Sequence, residues 1–340
     1  MSIVLRDTTL MRWGIGCKKL RYALRAPRAG NSAVDAPHLD AKLARMTTHH
    51  HDTHPRPTFC RMTLFFRRFH RRLALAALIL LLPGALRAEH EGKVQILLLG
   101  DSTAEGSIPR KLVKEGPHLE DVIRQLLAAE SNLPPCNVIN LSLSGEFIQR
   151  LVDSGRYEKL ASKLPGLDYI FVRYGLNDHA RREDFTNNFP KDFHALLARL
   201  RADHPAAMLI PMTVIPFSDA ATSERINGLI RQVATAEKLR LFDIYPRYAA
   251  ELERGPNMLN YRRFPLAKIP AKYHEFVKPF VSGSPPTVVV MDNRLDAHFG
   301  QLPGWFSDRH PNLAGYHVIG DETAKFLAPL LLERKPAVAK

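Results

Sequence analysis

The chain has 340 residues, room for one sizeable domain or two small ones, and its apolar fraction of 45% is ordinary for a globular protein. Its formal charge of +14 would suit a nucleic acid or an anionic membrane, but residues 1–88 hold 16 Lys+Arg against 4 Asp+Glu, which leaves 32 against 30 for residues 89–340. The charge is a property of the front segment, so no nucleic-acid partner is expected for the rest.

Cys17, Cys60 and Cys136 are scattered without a metal-ligand spacing. Only Cys136 lies beyond the front segment, so that remainder has no internal disulfide. A core of this size is stable without one, which leaves export open. No metal and no organic cofactor is expected.

From Met62 the chain runs through a basic stretch (Arg67, Arg68, Arg71, Arg72), an apolar run from Leu73 to Leu82, then Pro83-Gly84 and small residues. That is the order of a secretory signal, with cleavage expected near Ala88. The run is well short of the ~20 residues that span a bilayer, so no stable span is expected after cleavage. A secreted or periplasmic location follows. Residues 1–61 precede the signal without sustained apolar periodicity. They read as a mis-assigned start upstream of Met62 or as a disordered basic extension, and the tract containing His49, His50, His51 and His54 as no functional metal site.

The remainder, residues 89–340, alternates strand and helix. The unbroken apolar run VQILLLG suits a buried parallel strand. Leu119–Glu130 has helical spacing, CNVINLSLSG reads as a second strand and Arg150–Leu164 as a helix. DYIFVRYG is a third strand, Phe189–Asp203 a helix, AMLIPMTVIP a fourth strand, Ser223–Lys238 a helix and LRLFDI a fifth strand. This predicts an α/β fold: a three-layer α/β/α sandwich around a parallel five-stranded sheet, flavodoxin-like in type. The alternation stops across a long insertion at about 246–306, a lid or a surface-packed segment, in which TVVVMDN resembles a short strand. Asn312–Leu332 reads as a closing helix.

In such a sheet, ligands sit outside the carboxyl ends of the strands. Three polar clusters fall there: Gly100-Asp101-Ser102, Ser144-Gly145 and Gly175-Leu176-Asn177-Asp178, with Asp308-Arg309-His310-Pro311-Asn312 near the C-terminus. Each alone reads as turn chemistry. In this order and spacing they resemble the blocks of the SGNH (GDSL-like) hydrolases, over roughly Val94 to Leu332. The resemblance implies a Ser102 nucleophile, a His310 base, and an oxyanion hole from Ser102, Gly145 and Asn177.

The chemistry fits those residue types. A serine hydroxyl needs an imidazole to accept its proton, and the oxyanion formed in acyl transfer needs fixed N–H donors. The family sets its acid three positions before the His, where this chain has Ser307; the carboxylate, Asp308, stands two before. Asp308 is expected to complete the triad, with Asp292, Asp296 or a backbone carbonyl as alternatives. Asp101 and Asp178 are expected to brace the loops, Arg309 to be solvated, His179 to be a loop residue near the pocket and His317 to pack. Phe147, Tyr174 and Trp305 are pocket-lining candidates whose default is core.

The expected function is a serine esterase acting on an O-acetyl or longer acyl ester of a carbohydrate or lipid, through an acyl-enzyme. The alternatives are an O-acyltransferase of the same fold and a catalytically silent binding or scaffold protein. GDSTAEG, rather than a GxGxxG or GxxxxGK loop, argues against nucleotide binding.

Overall fold

A computed structural model describes residues 92–255 and 258–333. The expected extension over 1–61 and signal over 62–88 lie outside the described residues. Four parallel strands, β1 (Val94–Gly100), β2 (Cys136–Asn140), β3 (Tyr169–Arg173) and β4 (Met208–Pro211), form a sheet in the order β2-β1-β3-β4.

Residues alternate between its two faces, which explains why the strands are apolar on both. Ile96, Leu98, Tyr169 and Phe171 join one core with Ile123 of the Leu119–Ala129 helix and Ile319 and Leu327 of the Leu313–Glu333 helix. Leu97, Leu99, Ile170 and Val172 join the other with Phe193 of the Phe185–Asp203 helix and Ile230 of the Ala220–Ala236 helix. This is the three-layer α/β/α arrangement.

The fifth strand is reduced to one parallel bridge, Met212 with Phe242. Thr213 N–H donates to Phe242 O at 3.1 Å and Phe242 N–H to Pro211 O at 2.9 Å. Toward the strand start the next donor would be the N–H that Pro211 lacks, so the ladder cannot extend that way, and the sheet has four strands rather than five. The expected Arg150–Leu164 helix is broken into Ile148–Asp153, Arg156–Lys159 and a 3-10 turn at Ala161–Lys163. Gly155, at φ +66°, reverses the backbone between the first two pieces.

The segment expected to lack periodicity begins with a helix, Tyr245–Arg254, and then builds its own antiparallel sheet. Strands β5 (Arg262–Pro265), β6 (Val281–Ser282) and β7 (Thr287–Val290) lie in the order β5-β7-β6. Phe264, Val288, Val290, Leu295, Phe299 and Trp305 form its core. The buried Arg262 guanidinium meets both Asp296 oxygens, Nε–Oδ1 at 2.8 Å and Nη2–Oδ2 at 2.6 Å, and Trp305 Nε1 donates to Oδ1 at 2.7 Å.

Candidate active site

β1 delivers Asp101 and Ser102 at its carboxyl end. Asp101 is buried and caps the following turn, its Oδ1 accepting from Thr103 N–H at 2.9 Å and Thr103 Oγ1 at 2.7 Å. Ser102 is the first residue of that turn, where backbone N–H groups are free to point at an anion. A side chain at Gly100 would meet Arg173 O at 3.1 Å and Ser142 Oγ at 3.3 Å, so the turn closes tightly only with glycine.

His310 reaches this turn from the other end of the sequence. Its Nε2 lies 2.8 Å from Ser102 Oγ and its Nδ1 2.6 Å from Asp308 Oδ1, which also accepts the His310 backbone N–H at 3.0 Å. The spacing of two therefore reaches the imidazole, because Asp308 curls back to cap the backbone of His310 while holding its ring. Asp292 pairs with Arg294 and Asp296 with Arg262, so neither alternative acid is the His310 partner. The ring lies between Phe217, edge-on at 4.8 Å, and Tyr261, stacked at 5.7 Å and 15°.

The insertion supplies more than Tyr261. Arg263 Nε sits 2.7 Å from Asp308 Oδ2, and Tyr261 N–H donates to His310 O at 3.2 Å. Asp308 is only 6% exposed. Burial alone would push its carboxyl up, but the hydrogen bond and charge of His310, the His310 N–H and the Arg263 charge outweigh it and hold the carboxyl below its usual range. Asp308 is thus ionised when the imidazole needs a partner. Neither Tyr261 nor Arg263 was legible as a site residue in NYRRFP, since nothing local marks a strand that will cross the end of another sheet.

On the opposite side, Gly145 takes φ +74°, and Asn177 Nδ2 donates to Glu146 O at 3.0 Å, which ties the second and third loops together. Ser144, next to Gly145, lines the same cleft as Ser102 and His310. Beneath, the buried Glu146 carboxylate accepts from Tyr174 Oη at 2.8 Å and from Arg156 Nη1 at 2.8 and 2.9 Å; burial pushes its carboxyl up against these partners. Arg156 also donates to Leu141 O. This support lay unread in the sequence because its members are spread over a helix and two separate loops.

Asp178 braces the same loops, as expected: Oδ1 accepts from Ile148 N–H at 3.0 Å and Oδ2 from Gly175 N–H at 2.9 Å. Burial pushes its carboxyl up to about 7, against those two N–H groups. A proton held more tightly by the folded than by the unfolded chain stabilises the fold below about pH 4, and that contribution is lost as pH rises through 7. Wild-type stability minus that of Asp178→Asn, from urea unfolding, is expected to fall by on the order of 4 kcal/mol between about pH 4 and 8. A flat or rising difference would contradict this.

The remaining candidates lie apart from the reacting atoms. Tyr174 is buried below the loop rather than lining the pocket, and Trp305 belongs to the insertion core. Phe147 is half-buried, with the Arg181 guanidinium 5.8 Å from its ring. His179 accepts from Arg225 and meets Phe185 edge-on at 5.1 Å; burial and then the Arg225 charge push its imidazole down. His317 is exposed, not packed, because it falls on the outer face of the last helix. Arg309 is exposed, as expected, and donates to Ser218 O at 2.6 Å.

The cleft lined by Ser102, Ser107, Ser144, Tyr261, Arg263 and His310 measures about 20 Å³. It brings a serine hydroxyl, an imidazole and the carboxylate bonded to that imidazole around one small space. Among the described residues, no group of three His, Cys, Asp or Glu side chains is placed to hold a metal, and no helix is long and apolar enough to cross a membrane.

Residues 98–265 match the sequence profile of the GDSL-like lipase/acylhydrolase family. The match contains Ser102, Gly145, Asn177 and Arg263, while Asp308 and His310 lie beyond it. No curated protein sequence matches the chain. Similar solved structures include a lipase/acylhydrolase from Enterococcus faecalis, 17% identical over 72% of this chain and 100% of that one, TM-score 0.43. An acetylxylan esterase from Geobacillus stearothermophilus is 15% identical over 72% and 96%, TM-score 0.44. An α/β hydrolase from the metagenome of Lake Arreo, Spain, is 18% identical over 72% and 98%, TM-score 0.44.

Proposed function

Given an ester hydrolase that carries a GDSL-like lipase/acylhydrolase domain over residues 98–265, we propose that it cleaves short-chain carboxylic esters, acetyl foremost, of a carbohydrate or similar alcohol. The observation that carries this reading is the continuous hydrogen-bond chain Ser102 Oγ, His310 Nε2, His310 Nδ1, Asp308 Oδ1, at 2.8 and 2.6 Å.

In this reading Ser102 Oγ attacks the ester carbonyl while His310 Nε2 takes its proton. The oxyanion is held by the Ser102 and Gly145 backbone N–H groups and the remaining amide hydrogen of Asn177. The C–O bond to the alcohol then breaks, His310 returns the proton to the leaving oxygen, and water releases the acyl group from Ser102 by the same steps. Asp308 keeps Nδ1 protonated so that Nε2 is the acceptor. Arg263 holds Asp308 in place.

The cleft beside Ser102 is lined by Ser107, Ser144, Tyr261, Arg263 and Tyr316, a largely polar wall that supports a short acyl group over an alkyl tail. The order of basic and apolar segments from Met62 to Ala88 supports export as the setting of this activity. Acyl transfer to a sugar hydroxyl would use the same acyl-enzyme, and appearance of acetylated glycan in water would distinguish it from hydrolysis. The direct test is hydrolysis of p-nitrophenyl acetate and p-nitrophenyl octanoate by the full chain. We expect kcat/KM for the acetate to exceed that for the octanoate by about tenfold or more. The reverse order would sink the short-chain reading, and absence of turnover of both would sink the hydrolase mechanism.

A further inference from the structure

We infer that the ester this site takes carries an anionic group, a carboxylate or a phosphate, on its alcohol part, and that Arg150 and Arg181 receive it. The inference rests on the hydrolase reading above and adds the chemistry of the substrate.

Most described arginines of this domain are paired with carboxylates, and the exceptions are concentrated at one place. Among the described residues, Arg150, Arg173, Arg181, Arg225, Arg240 and Arg309 form no ion pair. Arg173 is buried, and Arg240 precedes the Phe242 bridge, at the opposite end of the sheet. The other four are at the carboxyl ends of the strands, around the proposed oxyanion hole and base. Residues 89–340 are nearly neutral, so this grouping does not follow from overall charge.

Arg150 and Arg181 are the closest pair. Both donate to a single acceptor, Gly145 O, Arg150 at 3.2 Å. A Cβ placed on Gly145 would lie 3.3 Å from Arg150 Nη1 and 3.5 Å from Arg181 Nη1, so two guanidinium groups converge on the loop next to Ser144 and the cleft. Arg181 is also one helical turn beyond Asn177, on the same face. Two like charges brought together on one neutral carbonyl leave donors and field for an anion, and the fork geometry of arginine suits carboxylate and phosphate.

The neighbouring carboxylates are already engaged. Glu146 is buried and bonded to Arg156 and Tyr174, with the Arg150 charge acting on it without an ion pair, Asp178 is buried under two N–H groups, and Asp308 is held by Arg263. Asp219 is exposed and faces His179, with its oxygens on Thr222 N–H and Oγ1. Arg150 and Arg181 sit on the Gly145 loop beside Ser144, at the edge of the cleft and away from its Ser107 side, which assigns the charged part to the alcohol leaving across the arginine pair.

The test uses the full chain with 4-acetoxybenzoate, 4-acetoxyphenyl phosphate and the neutral methyl 4-acetoxybenzoate. The readout is the ratio of kcat/KM for each anionic ester to that for the neutral one. Comparing this ratio between proteins cancels the intrinsic reactivity of the esters. We expect it to fall about tenfold in Arg150→Gln/Arg181→Gln, to be kept within about threefold in Arg181→Lys, and to fall in the wild type as NaCl rises to about 0.5 M. Whichever anionic ester shows the larger fall in its ratio on the double substitution identifies the anion. A ratio indifferent to both the double substitution and salt, with both ester types turned over, would overturn the inference alone. Absence of turnover of all three esters would overturn the hydrolase reading and the inference with it.

Discussion

Ser102→Ala and His310→Ala are each expected to lower kcat on p-nitrophenyl acetate by on the order of 10⁵-fold, and the double substitution by no more than either single one. In the proposed mechanism the two residues act as one unit across the 2.8 Å contact: without the imidazole the hydroxyl keeps its proton, and without the hydroxyl the imidazole has nothing to activate. The residual rate is that of the oxyanion donors acting on water. Stability separates the two variants. Ser102 is half-buried at the lip of a turn capped by Asp101, so its alanine variant should unfold at nearly the wild-type midpoint. His310 fills the space between Phe217 and Tyr261, so its loss leaves a gap and should cost about 1–2 kcal/mol. Retention of activity within tenfold in Ser102→Ala, with intact folding, would reject the nucleophile.

The parts of this molecule that were legible in its sequence are those whose cause is local. β1 and β3 are apolar runs buried on both faces, and the polar clusters that follow β1, β2 and β3 sit where strand ends need turns and caps. Asp101 and Asp178 read as braces because a short carboxylate in a glycine-containing turn satisfies nearby N–H groups, and both do so. The order of the clusters placed Ser102 and His310 together across 208 positions, a separation no periodicity could bridge.

What was not legible depends on contacts between distant segments. The fifth strand is held to one bridge, and on one side the N–H that Pro211 lacks ends the pairing, which is visible only once its neighbour is known. In the insertion β7 was legible in TVVVMDN, but β5 and β6, four and two residues long, carry too little pattern to show that it pairs into a small sheet. Its contribution to the site, Tyr261 on the His310 ring and Arg263 on Asp308, arises because Asn260 bridges to Pro311 and carries β5 past the His310 loop. The insertion therefore holds His310 and Asp308 in place as part of the cleft wall.

That placement makes Asp308→Asn the most informative single-atom change. With the carboxylate, Nδ1–H donates to Asp308 Oδ1 at 2.6 Å and Nε2 is left to accept from Ser102. An asparagine in the same rotamer can turn an N–H toward Nδ1, which moves the ring proton to Nε2 and points it at the hydroxyl it should deprotonate. Loss of about 10⁴-fold in kcat is expected, with little change in KM, because binding does not use this proton. Arg263 sharpens the interpretation, since its guanidinium at 2.7 Å from Oδ2 would then face a neutral amide and lose its counter-charge. Arg263→Gln keeps the carboxylate and hence the tautomer, so its loss should be far smaller, about tenfold. If Asp308→Asn instead retained activity within tenfold, the imidazole would be oriented by its packing between Tyr261 and Phe217 alone, and the site would function as a Ser–His dyad.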